Sequence, residues 1–289
     1  MSPVSVDVVM PARNRASMIG RAIRSAQEQS VAPNEIIVID DASSDGTGDI
    51  ARDLGATVLT HEFAQGSGPA RNAGIAHAGS EWIAFLDSDD EWEPNHVERV
   101  AGHLHGRVLV SSPARTPTGQ VRGNPWPWSI RLSPKRMLAP GNLVVTSGTF
   151  VRRDTLAAVG GFRALPRAQD LDLWLRVLEA GPGVVLGGPT VIYYEHAEQA
   201  SRDRDLMREC MDTIFADYAD RPWLAGRRLS QARSRSVWDD MRAAQARGDL
   251  RAGAPQFAWI ASRPVVWPTL LSVFAQRRRS GRSVAAVPN

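Results

Sequence analysis

The sequence predicts an α/β fold, with a mostly parallel sheet flanked by helices and a helical extension at the C-terminus. Short apolar runs alternate with segments whose apolar residues recur at helical spacing, from the N-terminus to about residue 104. Gly, Ser and Asp cluster after these runs and mark turns. From about residue 203 the chain reads as helical and rich in arginine. Strands that alternate with helices build a parallel sheet, and ligands bind beyond the carboxyl ends of its strands.

Four strands and three helices are predicted in the N-terminal part of the chain. The strands are the buried apolar runs at 4–11, 36–39, 56–62 and 82–86. The helices are the segments at 17–29, 47–55 and 68–78. Acidic residues follow the second and the fourth strand, which places carboxylates at the edge of the sheet where ligands bind.

The segment 111–142 is rich in Pro, Gly and Ser and is predicted to be a loop over the sheet. Its tryptophans, Trp126 and Trp128, fit either a patch of local core or a platform on which a sugar stacks. Local core is favoured because large aromatic side chains are usually buried. A strand, a second strand and a helix are predicted over 142–162, and an amphipathic helix over 170–181.

The composition is that of an ordinary globular protein. Its 289 residues carry a formal net charge of +3, which is too small to indicate a nucleic-acid partner. Cys210 is the only cysteine, which excludes a disulfide within the chain and a cysteine-based zinc site and favours a reducing compartment. The N-terminal residues enter a strand without the basic and apolar regions of a signal peptide. A cytoplasmic location is therefore expected.

The C-terminal region ends in an apolar segment, 264–275, followed by Arg277, Arg278 and Arg279. The apolar segment is too short to span a bilayer and is interrupted by Pro268. Two interpretations stay open. One is an interfacial helix whose basic tail makes a peripheral contact with anionic lipid at the inner face of the membrane. The other is an amphipathic helix that packs back on the protein.

Three aspartates follow the fourth predicted strand in the stretch LDSDDEW, namely Asp87, Asp89 and Asp90. Like charges this close raise one another's pKa and cost stability unless a positive charge lies among them. Carboxylate oxygens suit Mg2+ or Mn2+, which bind one or two carboxylates together with the phosphates of a substrate. The sequence therefore predicts a divalent cation between the protein and a diphosphate, where it draws charge from a departing nucleoside diphosphate.

Four motifs follow one another along the chain: PARN after the first strand, VIDDASSDGT after the second, GPARNAGIAHAGSEWIAFLDSDDEWEP, and GGFRALPRAQDLDLWLRV. In this order they resemble the family 2 inverting glycosyltransferases, over about residues 1–200. The resemblance implies a GT-A fold, which is a Rossmann-like, mostly parallel sheet flanked by helices. It also implies that residues 1–105 form the nucleotide-sugar-binding half and 106–202 the acceptor-binding and catalytic half, ahead of the helical extension at 203–289.

The resemblance assigns the nucleotide to the ends of the first two strands. Asp41 matches the acid of the family that contacts the nucleobase or ribose. The loop against which the base lies is matched by Pro11, Ala12, Arg13 and Asn14. Many members have a tyrosine at the position of Arg13, and a guanidinium plane also stacks on a base. Arg71 matches the arginine that braces the acidic motif and the diphosphate.

The resemblance places the metal and the diphosphate at the acidic turn. Asp87 and Ser88 match the ribose or metal side of the D-x-D element of the family, and Asp89 matches the direct metal ligand. His196, in YYEHAEQAS, falls where several members have a histidine that reaches the metal or the diphosphate. The segment VVTSGTF matches one that lines the donor sugar and is left unassigned.

Asp170 stands where the family has its catalytic base. The family usually has Glu-Asp at this point, whereas this chain has Gln169 before Asp170. One carboxylate suffices for the reaction that the family performs. It takes the proton from an acceptor hydroxyl as that oxygen attacks the anomeric carbon opposite the leaving diphosphate, and the configuration inverts. Asp172 is interpreted instead as the N-terminal charge of the following helix.

The sequence thus predicts a metal-dependent, inverting glycosyltransferase with a UDP-, GDP- or dTDP-sugar as donor. The acceptor hydroxyl belongs to a glycan, a lipid-linked substrate or a small-molecule aglycone. Two alternatives stay open. A sugar-phosphate nucleotidyltransferase uses a related sheet but usually has a glycine-rich, basic loop after the first strand, where this chain has PARNRAS. A non-catalytic nucleotide-sugar-binding or scaffold protein has the same fold, and the fold alone does not exclude it.

Overall fold

The computed structural model describes residues 4–137, 143–195 and 204–224. The chain divides into two compact units, and the described part of the first runs over 4–137, 143–195 and 204–211. Of the second unit, the end of a helix and the following turn are described, with the rings of Tyr218 and Trp223 at 5.4 Å. None of the described helices is both long and apolar enough to cross a membrane. The predicted interfacial helix and basic tail lie outside the described residues.

The first part of the chain alternates strands and helices as predicted, and the predicted elements end within one helical turn of their predicted bounds. One further short strand and one further helix follow the fourth predicted strand. The elements of this part are β1 (Val6–Ala12), α1 (Ile19–Gln27), β2 (Glu35–Asp40), α2 (Thr47–Asp53), β3 (Thr57–Thr60), α3 (Ser67–His77), β4 (Trp82–Phe85), β5 (Glu91–Trp92) and α4 (His96–Ala101). Every residue of β1 is buried, as a strand covered by helices on both faces requires.

The second part contains shorter strands and three further helices of the first unit. These elements are β6 (Leu109–Ser111), β7 (Ala114–Arg115), β8 (Val121–Arg122), β9 (Ile130–Leu132), α5 (Pro134–Met137), β10 (Thr149–Arg152), α6 (Arg153–Val159), α7 (Gln169–Ala180), β11 (Gly183–Val185) and β12 (Val191–Ile192). A 3-10 turn at Thr146–Gly148 precedes β10. Helix α8 (Arg204–Asp217) begins the predicted helical extension.

Eight strands form the main sheet, in the order β3-β2-β1-β4-β10-β6-β11-β9. The sheet is mostly parallel, as predicted, because β1, β2, β3, β4, β6 and β11 share one direction and β9 and β10 oppose it. Strand β1 lies between β2 and β4. The loop after β1 is therefore flanked at the carboxyl edge by the segments that begin with Asp41 and with Leu86.

Helix α3 packs directly against the central strands of this sheet. A Cβ atom at Gly74 would lie 2.6 Å from Cγ1 of Val9 and 2.7 Å from Cδ1 of Ile39, which is closer than side chains approach one another. Glycine is therefore required for this contact. Arg71 precedes Gly74 by three residues, on the same side of the helix. The close packing of α3 thus fixes the position of the arginine relative to the sheet.

The segment 111–142 is more ordered than the predicted loop. Strands β7, β8 and β9 and helix α5 form within it, and β7 and β8 join β5 and β12 in a four-stranded sheet of order β5-β12-β7-β8. The loop prediction was wrong because strands of two or three residues are too short to show an alternating pattern. The first strand predicted over 142–162 is not found either, since the described residues 143–145 are outside any strand.

The prediction of a local core at the two tryptophans was also wrong. The side chain of Trp128 is 61% exposed and that of Trp126 is partly buried, and their rings stack with centroids 6.4 Å apart at an angle of 26°. Asn124, which is buried, hydrogen-bonds the backbone of both tryptophans. Because Asn124 anchors the segment, the rings are left at the surface.

Candidate active site

The three aspartates after β4 form a tight turn at the carboxyl edge of the main sheet. The backbone N–H of Asp90 donates to the carbonyl oxygen of Asp87 at 3.1 Å. Asp87, Asp89 and Asp90 each offer a carboxylate oxygen, and these oxygens all lie within 4.8 Å of one another. Asp90 is 1% exposed, whereas Asp87 and Asp89 are half-buried. The turn therefore directs three carboxylates into one small volume.

Asp90 is the carboxylate that this arrangement perturbs most. Burial, and then the charges of Asp87 and Asp89, hold the pKa of Asp90 well above its ordinary value. The hydroxyl of Ser147 and the backbone N–H of Tyr194 donate to its two oxygens and partly offset this effect. Sequence reasoning gave no role to Asp90, although it is the third aspartate in the turn and therefore the obvious further candidate. It also left the segment of Ser147 unassigned.

Arg71 pairs with the acidic turn from the side of α3. Its Nη2 lies 2.6 Å from Oδ1 of Asp87, and the arginine is 8% exposed. Its guanidinium lies 5.3 Å from the ring centroid of Phe162. Its Nε is buried without a hydrogen-bond partner among the described residues. Arg71 and Asp87 thus form an ion pair between α3 and the acidic turn.

Arg21 holds the same turn from the side of α1. Its Nη2 donates to the backbone carbonyl of Asp89 at 3.0 Å, and its guanidinium lies 3.7 Å from the ring centroid of Tyr194. The hydroxyl of Tyr194 donates to Glu91 at 2.9 Å. This arginine joins the acidic turn to the segment that leads towards His196. Nothing in the motif pattern singled out Arg21, because its role depends on a tertiary contact.

The donor set of the acidic turn fits a divalent cation. Three carboxylates supply only hard oxygen atoms, which Mg2+ and Mn2+ prefer over softer ligands. Burial, and then the charges of Asp87 and Asp89, raise the pKa of Asp90, and a cation among these oxygens would offset the repulsion. Asp89, with Asp87 and Asp90, would hold such an ion. His196 lies outside the described residues, and Ser88 is buried at 5% exposure.

Asp41, after β2, organises the loop that follows β3. Its Oδ1 accepts from the backbone N–H of Gln65 and lies 2.8 Å from Nδ1 of His61, and its Oδ2 accepts from the N–H of Gly66, also at 2.8 Å. Burial alone would raise the pKa of Asp41, but these hydrogen bonds outweigh it and hold the pKa below its ordinary value. Asp41 is thus an anion that orders residues 61–66. No motif in the sequence indicated the contact between His61 and Asp41.

The loop after β1 is tied to the loop after β2. The backbone N–H of Asn14 donates to Oγ of Ser43, and the N–H of Ser44 donates to Oδ1 of Asn14, both at 3.0 Å. Asn14 has a positive φ of 51°, which asparagine tolerates better than most residues. Pro11 and Ala12 are buried, whereas Arg13 and Asn14 are exposed. The part of this loop that is accessible to a ligand is therefore Arg13–Asn14.

Asp170 and Asp172 occupy different environments at the start of α7. Asp170 is half-buried, and its Oδ2 lies 3.4 Å from the hydroxyl of Thr146. Asp172 is fully buried and accepts from Arg163 at 3.0 Å and from Arg176 at 2.6 Å. Asp172 thus stabilises the helix through two arginines. Asp170 remains accessible, as a group that removes a proton must be.

The 3-10 turn Thr146–Gly148 joins the acidic turn to Asp170. Thr146 donates to Asp170, and the next residue, Ser147, donates to Asp90. The backbone N–H of Asp87 also donates to Oγ of Ser147 at 3.3 Å. Adjacent side chains of one short turn therefore contact both groups of carboxylates. The structure thus places Asp87, Asp90 and Asp170 in contact with adjacent residues of one short segment.

The start of α7 also packs on the start of α3. A Cβ atom at Gly68 would lie 2.5 Å from Oε1 of Gln169, which is the flexible end of that side chain. This oxygen is buried and has no hydrogen-bond partner among the described residues. Gln169 is therefore placed between the helix that carries Arg71 and the residue predicted to be the base.

A model of glycosyl transferase family 2 matches residues 7–158 of this chain. UDP-Glc:alpha-D-GlcNAc-diphosphoundecaprenol beta-1,3-glucosyltransferase WfgD from Escherichia coli is 38% identical over 101 residues, which are 34% of this chain and 40% of that protein. Glycosyltransferase AglE from Haloferax volcanii is 28% identical over 168 residues, 54% of this chain and 55% of that protein. The chain thus spans about half the length of these relatives or less.

Solved structures of low sequence identity share the fold. Residues 1–349 of TarS from S. aureus, in complex with UDP-GlcNAc, have a TM-score of 0.62 at 20% identity, with 75% of this chain and 67% of that chain covered. Mannosyltransferase PcManGT from Pyrobaculum calidifontis, in complex with GDP-Man and Mn2+, has a TM-score of 0.61 at 18% identity, with 94% of this chain and 79% of that chain covered. These similarities support the fold.

Proposed function

Because this chain belongs to glycosyl transferase family 2, we propose that it moves a sugar from a nucleoside-diphosphate sugar to an acceptor hydroxyl in a single, inverting displacement. The observation that carries the proposal is the turn Thr146–Gly148, whose side chains contact the acidic turn on one side and Asp170 on the other. A transferase needs its leaving-group site and its base on opposite sides of the reacting carbon. The contacts of Thr146 and Ser147 support such an arrangement, because they link Asp170 and Asp90 to adjacent residues of one segment.

The acidic turn is the proposed site of the diphosphate and of Mg2+ or Mn2+. Asp89, helped by Asp87 and Asp90, would hold the ion, which when bound supplies Lewis-acid stabilisation of the departing diphosphate. Arg71 supports the turn by its ion pair with Asp87 at 2.6 Å. Arg21 fixes the backbone of Asp89. Both arginines therefore position carboxylates that would otherwise repel one another.

Asp170 is the proposed general base. Its carboxylate takes the proton from the acceptor hydroxyl while that oxygen forms the bond to the anomeric carbon and the bond to the diphosphate oxygen breaks. The single displacement from the opposite face inverts the configuration. The long contact of 3.4 Å from Thr146 leaves the lone pairs of Oδ2 available to an acceptor. Asp172 is unsuited to this role, because it is buried and bound by two arginines.

The nucleoside is proposed to lie between the exposed residues Arg13 and Asn14 and the loop that Asp41 organises. Arg13 provides a planar cation that can stack on a base. Asp41 provides a carboxylate that is ionised at neutral pH, because its hydrogen bonds lower its pKa. UDP-, GDP- and dTDP-sugars all suit this geometry. The solved neighbours in complex with UDP-GlcNAc and with GDP-Man support a nucleotide-sugar donor of this general type.

The acceptor is proposed to be a hydroxyl of a glycan, a lipid-linked substrate or a small-molecule aglycone. The relative WfgD is named for a diphosphoundecaprenol-linked acceptor, which favours a substrate at the inner face of the membrane. The peripheral membrane contact proposed for 264–289 agrees with such a substrate, and these residues lie outside the described chain.

Donor hydrolysis without acceptor tests the proposal. The protein is incubated with Mn2+ and in turn with UDP-, GDP- and dTDP-sugars, and release of nucleoside diphosphate is measured. We expect slow release from at least one donor, and Asp170→Asn should suppress it. A sugar-phosphate nucleotidyltransferase would instead release pyrophosphate from a nucleoside triphosphate and a sugar phosphate. Absence of release from every donor, with no binding of any nucleotide, would support the scaffold alternative.

A further inference from the structure

An exposed aromatic pair lies outside the site described above. The rings of Trp126 and Trp128 are stacked at 6.4 Å and 26°, and Trp128 is 61% exposed. Large aromatic side chains are usually buried because each removes a large apolar area from water. Within the described residues, the other exposed large hydrophobic side chains are Phe63 and Val121. A tryptophan that is held at the surface and stacked on a second one is therefore a candidate ligand-binding surface.

The segment that carries the pair is anchored by one buried polar side chain. Nδ2 of Asn124 donates to the carbonyl oxygens of Trp128 at 2.8 Å and of Leu186 at 2.9 Å. Oδ1 of Asn124 accepts from the N–H of Trp126 at 3.1 Å, and Asn124 is 1% exposed. All the hydrogen bonds of this side chain thus fix the backbone on both sides of the rings. The pair is preorganised, so ligand binding would not have to order it.

The backbone of this segment also packs closely on the chain after β11. A Cβ atom at Gly187 would lie 2.2 Å from the carbonyl oxygen of Pro127 and 2.6 Å from the backbone N of Trp128. Only glycine permits this approach. Two independent contacts, the hydrogen bonds of Asn124 and the glycine at 187, therefore hold the aromatic pair against the end of β11.

This position lies at the same edge of the sheet as the acidic turn. Strand β11 is parallel to β6, and β6 is parallel to β4, because both β4 and β6 are antiparallel to β10. Leu186 follows the carboxyl end of β11, as Leu86 follows that of β4. Three strand spacings separate β4 from β11, which corresponds to roughly 14 Å across the sheet. An acceptor that extends over several sugar units bridges such a distance.

We propose that Trp126 and Trp128 form a platform for an oligosaccharide acceptor, with a pyranose ring stacked on Trp128. The inference rests on the proposed function, because a sugar transferred near Asp170 would extend a chain whose earlier units lie along this edge. Pyranose rings present an apolar C–H face that stacks on flat aromatic rings, while their hydroxyls stay in water. A half-exposed, fixed pair of indoles matches this chemistry. The acceptor class is therefore a glycan of several units, free or lipid-linked.

The surface favours a carbohydrate over a lipid bilayer. Membrane-bound segments present a contiguous apolar face, usually with several large residues. The exposed Trp128 is flanked in the chain by Pro127 and by Ser129, whose exposed hydroxyl is a hydrogen-bonding group, and the segment is anchored by a buried asparagine. A flat ring with hydrogen-bonding surroundings is better suited to a sugar. A bilayer remains an outcome that the experiment below detects.

The test is a titration of the full chain with three tetrasaccharides, namely cellotetraose, chitotetraose and α-1,6-mannotetraose, followed by saturation-transfer NMR and tryptophan fluorescence. The wild type is expected to bind at least one of them. Trp128→Ala should weaken that binding on the order of tenfold, the effect of losing one aromatic stacking surface. Trp128→Phe should lose less affinity than Trp128→Ala, because phenylalanine keeps a flat ring. Val121→Ala, which removes another exposed apolar side chain, should bind as the wild type does.

Three results would overturn the proposal: no tetrasaccharide binds the wild type, Trp128→Ala binds with unchanged affinity, or Val121→Ala weakens binding as much as Trp128→Ala. A fourth would replace it with a membrane contact, namely that Trp128→Ala loses binding to vesicles of phosphatidylglycerol and phosphatidylethanolamine while no tetrasaccharide binds. Thermal unfolding of each variant checks that it is folded. Donor hydrolysis by the wild type is measured in parallel. Its absence would reject the proposed function, whereas hydrolysis without glycan binding would reject the platform alone.

Discussion

Asp170 and Asp172 provide a matched pair of substitutions that separates catalysis from stability. Both aspartates lie in the first turn of α7, and both are replaced by asparagine, which has nearly the same shape. Asp170 is half-buried, with a long contact to Thr146 and a local hydrogen bond from the backbone N–H of Leu171, whereas Asp172 is fully buried between two arginines. Asp170→Asn should therefore remove activity without loss of stability. Asp172→Asn should mainly lower the stability and keep most of the activity.

The expected cost of Asp172→Asn follows from its partners. Removing one member of a buried ion pair costs about 3–5 kcal/mol, because the remaining charge is left uncompensated. The side chain of Arg163 is 41% exposed and that of Arg176 is 16% exposed, so solvent screens part of this loss. We expect a decrease in the free energy of unfolding of about 2–4 kcal/mol. In a protein of this size the melting temperature should fall by roughly 5–15 °C.

The expected cost of Asp170→Asn is kinetic. Loss of a general base lowers turnover by about 10²–10⁴-fold, because asparagine cannot accept the proton. The 3.4 Å contact from Thr146 contributes little to stability, so the melting temperature should stay within about 2 °C of the wild type. Asp172→Asn should keep most of its turnover at low temperature, where α7 remains folded.

Differential scanning fluorimetry and release of nucleoside diphosphate at 20 °C measure the two effects on the same preparations. The reasoning would be refuted if Asp170→Asn kept more than about a tenth of the wild-type turnover, since a general base contributes at least a hundredfold. It would also be refuted if Asp172→Asn melted like the wild type. Equal effects of the two variants on both quantities would show that α7 acts only as a scaffold.

Three further predictions concern the acidic turn and its support. Because Asp90 has a raised pKa in the folded state, folded metal-free protein binds more protons than unfolded protein above about pH 4, and its stability should fall as pH rises. Asp90→Asn should remove this fall and stabilise metal-free protein at pH 7 by about 1–2 kcal/mol, as thermal scans in EDTA at several pH values would show. Arg71→Gln removes the ion pair to Asp87 and should weaken nucleoside-diphosphate binding by about 10–100-fold in calorimetry, with Arg71→Lys less affected; unchanged binding would exclude a role for the charge. Gly74→Ala should cost about 1–3 kcal/mol in denaturant unfolding, because its Cβ would lie 2.6 Å from Val9, and wild-type stability would contradict the close packing of α3.

Much of the fold of residues 4–105 could be predicted from the sequence. Strands β1, β2 and β4 are buried apolar runs of four to seven residues, long enough to be distinguished from their surroundings. The position of Asp41 and Asp87 at the carboxyl edge follows from the parallel order of these strands. The alternation of apolar strands and helices in the sequence therefore predicts both the architecture and the location of the acidic residues.

The rest depends on contacts between residues that are far apart in the chain. Ser147 contacts Asp90 across 57 positions, and Arg21 contacts Asp89 across 68. No local pattern encodes such pairs. Strands β7, β8 and β12 have two residues each and show no alternation. Trp128 was expected to be buried because large aromatic side chains are usually buried. The hydrogen bonds of Asn124 instead hold the backbone of Trp128 at the surface.

The central claim is that the acidic turn binds a nucleoside diphosphate together with a divalent cation. Thermal unfolding of the wild type and of Asp89→Asn, with UDP, GDP or dTDP and with or without Mn2+, tests it most directly. Ligand at about 100 times its Kd stabilises the native state by about 2.7 kcal/mol, or roughly 5–10 °C in melting temperature. The account predicts a shift of this order with one nucleotide, only with Mn2+ and only in the wild type. A shift that is independent of Mn2+, or equal in Asp89→Asn, would contradict it, as would no shift with any of the three nucleotides.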